Sequence, residues 1–215
     1  MNTPHVKRRR TLLLGLLAAG TLPLLQGCFP VVATGVASGA MMIADRRTSG
    51  IYVEDEGIEW KGANRLREHF GTLNHINVTS YNRNVLLTGE VQNENVRAEA
   101  ERLVAGIENV RGIINELSIG APSSMTARAN DGLITSNVKA RFVDGQHFAA
   151  NHVKVVTEAN VVFLMGLVTR TEADAASEIA RTSQGVRKVV RVFEYISEED
   201  ARRMDARIGS NSSSR

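Results

Sequence analysis

Apolar and polar residues alternate from Ile76 onward, with Ile76 and Val78 set against Asn77 and Thr79; this is the period of a half-buried strand. Val85-Leu86-Leu87-Thr88-Gly89-Glu90-Val91 reads as the next strand. The short polar break Asn82-Arg83-Asn84 between them makes the pair a hairpin. The period then changes. Val96, Ala100, Leu103, Val104 and Ile107 recur at helical spacing in a charged stretch from Glu94 to Gly106, and a β-branched run from Val110 to Ile119 follows. The same series returns at a constant offset of 77 positions, from Ile76 to Val153 and from Gly89 to Gly166. Its parts are Val153 to Val156, the break Glu158-Ala159-Asn160, Val162 to Val168, a helical stretch with Ala175, Ala176, Ile179 and Ala180, and a run from Val186 to Ile196. A further helix precedes each copy, at about Glu56 to Phe70 and Asp131 to Val143, with Asn130 or Asp131 as N-cap of the second.

The order helix, strand, strand, helix, strand therefore occurs twice. A right-handed crossover closes each copy into a three-stranded mixed sheet with two helices on one face, an α+β fold. The pattern predicts a first domain over 52–120, a linker over 121–129 and a second domain over 130–196. Residues 197–215 are expected to form a short helix, opened by Glu198, Glu199 and Asp200, and a disordered polar tail.

The N-terminal segment has another character. Lys7, Arg8, Arg9 and Arg10 precede an uncharged apolar run from Leu12 to Leu24, followed by Leu25-Gln26-Gly27-Cys28. Cationic start, short apolar core and small-residue cut site are the parts of a secretory signal over 1–27. The run is shorter than the ~20 residues of a spanning helix. Leu-Gln-Gly-Cys resembles the lipobox of bacterial lipoproteins, and that resemblance implies that Cys28 is acylated and becomes the first residue of the exported chain. Cys28 is the only cysteine, so no intramolecular disulfide forms. Residues 28–51 read as a lipidated tether. The arginine run leaves twin-arginine export open as the route.

Charge changes the picture only once the signal is set aside. The chain holds 26 Lys and Arg against 23 Asp and Glu. Four of the basic residues and none of the acidic ones precede Cys28, so the remainder carries 22 against 23. The basic excess belongs to the signal and gives no basis for a nucleic-acid partner.

The twofold element order, with Gly89 and Gly166 ending the second strands, resembles the BON domain. Tandem copies behind a lipobox resemble the dual-BON outer-membrane lipoproteins, the DolP or YraP family. The resemblance covers about Asp55 to Ile196 plus the anchor. It implies a membrane-anchored protein that binds anionic phospholipid and supports outer-membrane integrity. Phe29, rather than aspartate, follows Cys28, which by the sorting rule of that family favours the outer membrane, facing the periplasm. The other reading is a periplasmic module assisting the outer-membrane assembly machinery.

Differences between the copies suggest where function lies. In the second leading helix Ile134, Val138 and Phe142 share the face that packs on the sheet. Leu133, Ala140 and Val143 fall on another side with Ser136 and Asn137, flanked by Lys139 and Arg141. The first copy has Gly57, Asn64 and Arg67 at the apolar places. An apolar stripe edged by cations suits anionic headgroups, so these seven residues are the candidate phospholipid contact. Leu133 and Val143 have an alternative, packing on the first domain. A second asymmetry is that Phe163, Met165 and Leu167 line the strand face where the first copy has Leu86, Thr88 and Glu90. A strand apolar on both faces is usually buried on both. That face is expected to lie under the first domain or to take a lipid or peptide. Trp60, the lone tryptophan, is a candidate for an interface or for the core.

No catalytic constellation emerges, and no phosphate-binding loop. His69, His75, His147 and His152 lack the spacing of a helical or zinc-finger ligand set. The expectation is a non-enzymatic protein without cofactor or metal. Glu54, Asp55 and Glu56 are read as a carboxylate cluster favouring a helix N-terminus.

Overall fold

The computed structural model describes residues 45–213. The signal segment, Cys28 and the tether as far as Ala44 lie outside them. The first copy comprises α1 (Ser49–Phe70), β1 (His75–Tyr81), β2 (Asn84–Val91), α2 (Glu94–Ala105) and an edge strand in two pieces, β3 (Gly112–Asn115) and β4 (Ser118–Ile119). The second comprises α3 (Met125–Gly145), a 3-10 turn (Ala150–His152), β5 (Val153–Glu158), β6 (Val161–Val168), α4 (Arg170–Arg181) and β7 (Lys188–Tyr195). Helix α5 (Glu198–Ser213) follows.

In each copy the middle strand pairs antiparallel with the strand before it and parallel with the strand after it. The sheets are therefore mixed, and α+β architecture in tandem is what the chain adopts. Val85, Leu87 and Val91 face the helices of the first copy and join Ile58, Leu66, Ala100 and Val104 in one core. Val162, Leu164 and Val168 do the same with Ile134, Val138, Phe142, Ala176 and Ala180.

Both leading helices start earlier than the apolar pattern predicts. Thr48 caps α1, its side chain accepting from Ile51 N at 3.3 Å, and Ser124 caps α3, accepting from Ala127 N at 3.2 Å. A cap stabilises a first turn that buries little surface, and one such turn is too short to show a period. The helices thus take up the end of the expected tether and part of the expected linker. The expected tail also differs, since α5 continues to Ser213. Ser197 Oγ accepts from Asp200 N at 3.1 Å, Asp200 pairs with Arg203, and Ala201 is buried.

Asp55 and Asp131 carry a role that the sequence did not show. Neither sits at a helix start. Each lies buried about two turns into its helix and accepts the backbone N–H groups of the neighbouring hairpin turn. Asp55 takes Asn82 N at 2.8 Å and Arg83 N at 2.7 Å; Asp131 takes Ala159 N at 2.9 Å and Asn160 N at 2.8 Å. All four turn residues have positive φ, between 49° and 66°. This is the two-residue turn that matches strand twist, and it normally selects Asn or Gly. The carboxylate compensates for Arg83 and Ala159 in that strained region. Asp55 additionally receives Ser80 Oγ at 2.6 Å and Arg47 at 2.7 Å.

Gly89 and Gly166 do not end their strands; each lies two residues before the end. An added Cβ would come within 2.0 Å of His75 O at Gly89 and within 2.5 Å of His152 O at Gly166. Only glycine allows this backbone approach.

The two clamps differ in charge compensation, and the cost of losing them should differ accordingly. Asp55→Ala leaves Arg47 buried without that partner and is expected to lower unfolding free energy by about 3–5 kcal/mol. Asp131→Ala removes only turn hydrogen bonds and is expected to cost about 1.5–3 kcal/mol. Urea unfolding of the two variants checks the order, and equal losses would contradict it.

Candidate functional site

The outer side of α3 is uncovered. Met125, Leu133 and Val143 are 76%, 70% and 63% exposed, and Ser136, Asn137 and Ala140 are exposed beside them. Ile134, Val138 and Phe142 fill the inner side. Ser136 turns its hydroxyl onto Gly132 O of its own helix at 2.9 Å, which lowers the polarity of the stripe. The exposure of Leu133 and Val143 overturns their packing against the first domain. Met125 was missed because the helix was expected to begin after it; Ser124 as a cap was the available signal.

The two flanking cations part company. Arg141 donates to Ile179 O at 2.7 Å, Ser183 Oγ at 2.7 Å and Thr182 Oγ1 at 3.1 Å. It satisfies the C-terminal end of α4 and is not a free headgroup ligand. Lys139 is exposed as a residue, yet its ammonium is held below the ordinary lysine range, first by desolvation and then by the charge of Lys154. Lys139 lines a cleft of about 460 Å³ together with Tyr52, Tyr81, Val143, Val153 and Lys154. Val143 belongs both to this lining and to the exposed stripe.

Phe163, Met165 and Leu167 lie in an apolar cluster with Tyr81 and Leu86 of the first copy. The outer face of the second sheet is thus covered by the first domain. A polar rim surrounds the cluster. Lys154 Nζ donates to Glu59 at 2.6 Å and to Ser80 O at 3.1 Å, Asn84 Nδ2 donates to Glu194 at 3.1 Å, and Asn82 also bonds Glu194. Burial pushes the Tyr81 phenol up, and its hydroxyl reaches His152 O at 3.5 Å.

Two arginines fasten the junction. Arg46 donates to Leu167 O at 2.9 Å, to both oxygens of Glu172 at 2.7 and 2.8 Å, and to both of Asp205 at 2.9 and 3.0 Å. It thereby joins β6, α4 and α5. Burial works against its charge, but the bonds to Asp205 and Glu172 outweigh that and move its pKa upward. Arg47 pairs with Asp45 and Asp55 and stacks over the Tyr81 ring at 4.1 Å. The sequence assigned both arginines to a tether.

His75, Glu90 and Glu158 also converge. His75 Nδ1 lies 3.0 Å from Glu90 Oε2 and 3.8 Å from Glu158 Oε1. Burial raises the Glu158 pKa above the usual carboxylate range, against the Asn77 hydrogen bond. Sequence reasoning missed this group because the three residues come from three strands in two domains. Among the other histidines, His69 meets Phe70 edge-on at 4.7 Å, and His152 is buried with an unpartnered Nδ1. Trp60 is not a core residue; it is 69% exposed on α1, as is Val53 at 62%. Cys28 lies outside the described residues. No helix among them is long and apolar enough to cross a membrane.

Comparison with known proteins matches the BON domain at residues 62–121 and 130–197. The chain is 38% identical over 180 residues to an outer membrane lipoprotein DolP of Haemophilus influenzae, covering 82% of this chain and 93% of that protein. It is 36% identical over 154 residues to a 21 kDa hemolysin of Actinobacillus pleuropneumoniae, covering 71% and 79%. With the osmotically-inducible protein Y of Escherichia coli it shares 28% over 160 residues, covering 73% and 80%.

The junction should be acid-sensitive through His152. Its pKa is lowered from 6.5, first by desolvation and then by Arg46. In the unfolded chain it binds a proton below about pH 6.5 while the folded protein resists, so stability is full above that pH and falls as pH drops. Glu172 and Asp205 are held below their ordinary 4.5 and 3.8, in Glu172 because the Arg46 bond outweighs burial, in Asp205 chiefly through Arg46 itself. Their contribution is lost only at still lower pH. Thermal unfolding should therefore show a drop in Tm between about pH 6.5 and 5 that His152→Gln flattens.

Proposed function

Since the chain belongs to the BON family, as a dual-BON outer-membrane lipoprotein, we propose that it is a non-enzymatic module anchored through Cys28, facing the periplasm, whose second domain rests on anionic phospholipid and supports membrane integrity. The observation that carries this reading is the uncovered stripe on α3. Met125, Leu133, Ala140 and Val143 present apolar surface, Ser136 and Asn137 lie among them, and Lys139 stands at the border. Full burial of a large apolar side chain contributes about 1.5–3 kcal/mol, and a cation near an anionic surface about 1 kcal/mol. A grazing helix realises only part of each. The contact is then weak and reversible, and the acyl chains on Cys28 supply lasting attachment. Arg141 has no part in it, being committed to α4.

A second reading, docking to the outer-membrane assembly machinery, is favoured by Trp60 and Val53 standing exposed on α1. An exposed tryptophan is a common anchor of protein interfaces.

Vesicle flotation of the unlipidated chain from residue 29 onward separates the two. Flotation is expected with phosphatidylglycerol-containing vesicles and not with phosphatidylcholine alone, weakening with salt. Leu133→Asp with Val143→Asp should abolish it while circular dichroism stays unchanged. Persistent flotation of that double variant would rule out α3 as the contact. Trp60→Ala is expected to leave flotation intact. In cells, Cys28→Ala should shift the protein from the membrane to the soluble fraction.

A further inference from the structure

Glu90 and Glu158 are each about nine-tenths buried, with side chains 10% and 9% exposed. No lysine or arginine among the described residues forms an ion pair with either; the basic side chain that does is His75. Buried charges in proteins are paired or coordinate a metal. His75 and Glu90 face each other in the β1–β2 register, and Glu158 reaches them from the end of β5 in the other domain. One ligand atom from each lies within 4.8 Å of the others.

The spacing fits a particular ion class. Zinc bound to imidazole and carboxylate at about 2.0–2.2 Å in a tetrahedron needs donor atoms about 3.2–3.6 Å apart. The His75 Nδ1 separations of 3.0 and 3.8 Å lie on either side of that range. Outer partners hold the carboxylates in place, with Asn77 Nδ2 donating to Glu158 Oε2 at 2.7 Å and Ser123 N to Glu90 Oε2 at 3.0 Å. Glu158 Oε1, pointing at the group, receives no hydrogen bond from a described residue. Ser123 Oγ, 3.3 Å from His75 Nδ1, stands beside the remaining position and accepts from Arg128 Nε at 3.1 Å.

We propose that His75, Glu90 and Glu158 form a divalent-metal site of zinc class that ties the two domains together. One nitrogen and two carboxylates with few further oxygens suit zinc or a similar first-row ion better than calcium, which takes six to eight oxygens. Nδ1 is the ligand atom, so the imidazole proton moves to Nε2, and Asn77 Nδ2, 3.3 Å away, keeps only its bond to Glu158. The site is separate from the α3 stripe, and it holds whether or not that stripe binds lipid.

The test uses the unlipidated chain from residue 29 onward, stripped with chelator and titrated calorimetrically with zinc chloride. One equivalent is expected to bind and to raise Tm. Glu158→Gln and His75→Gln should each weaken binding by at least tenfold, whereas His69→Gln should not. Absence of one-to-one binding, or wild-type affinity in Glu158→Gln, overturns the proposal. Should a variant fail to fold, the imidazole nitrogen resonances of His75 in the wild-type chain decide the matter: they must shift on zinc addition, and unchanged resonances overturn it.

Discussion

Phe163, Met165 and Leu167 pack with Leu86 and Tyr81, and this shared cluster turns two small domains into one body. A domain of this size buries a modest share of its surface and gains from any face it can cover. The cluster also explains why β6 is apolar on both sides, since Val162, Leu164 and Val168 fill the helix-side core while their neighbours fill the junction. Everything polar at the junction is arranged around it. Arg47 lies over Tyr81, Arg46 reaches Leu167 O, and Glu158 meets Asn77 at its margin.

Duplication left the same scaffold with two different surfaces. The hairpin clamps Asp55 and Asp131 and the close-approach glycines Gly89 and Gly166 recur because the backbone requires them. The outward sides are free to diverge. On α1 that side carries Val53 and Trp60; on α3 it carries Met125, Leu133 and Val143. With the second sheet committed to the first domain, α3 carries the exposed large aliphatic side chains of the second copy. The segment Asp45 to Arg47 is fixed between α1, β6 and α5 and is part of the folded body.

The sequence by itself determined the repeat, the element order, the inward faces of the helices and the amphipathic excess on α3, because each is written in local periodicity. It located Leu133 and Val143 but left their surroundings open, since one helix pattern serves both a bilayer and a neighbouring domain. Only the tertiary structure decided that these two are uncovered, that Arg141 serves α4, that Arg46 and Arg47 belong to the folded body, and that Asp55 and Asp131 hold turns rather than helix ends. It also brought His75, Glu90 and Glu158 together. The reason is common to all of these: each depends on groups distant along the chain meeting in space, and no window of neighbouring residues records such a meeting.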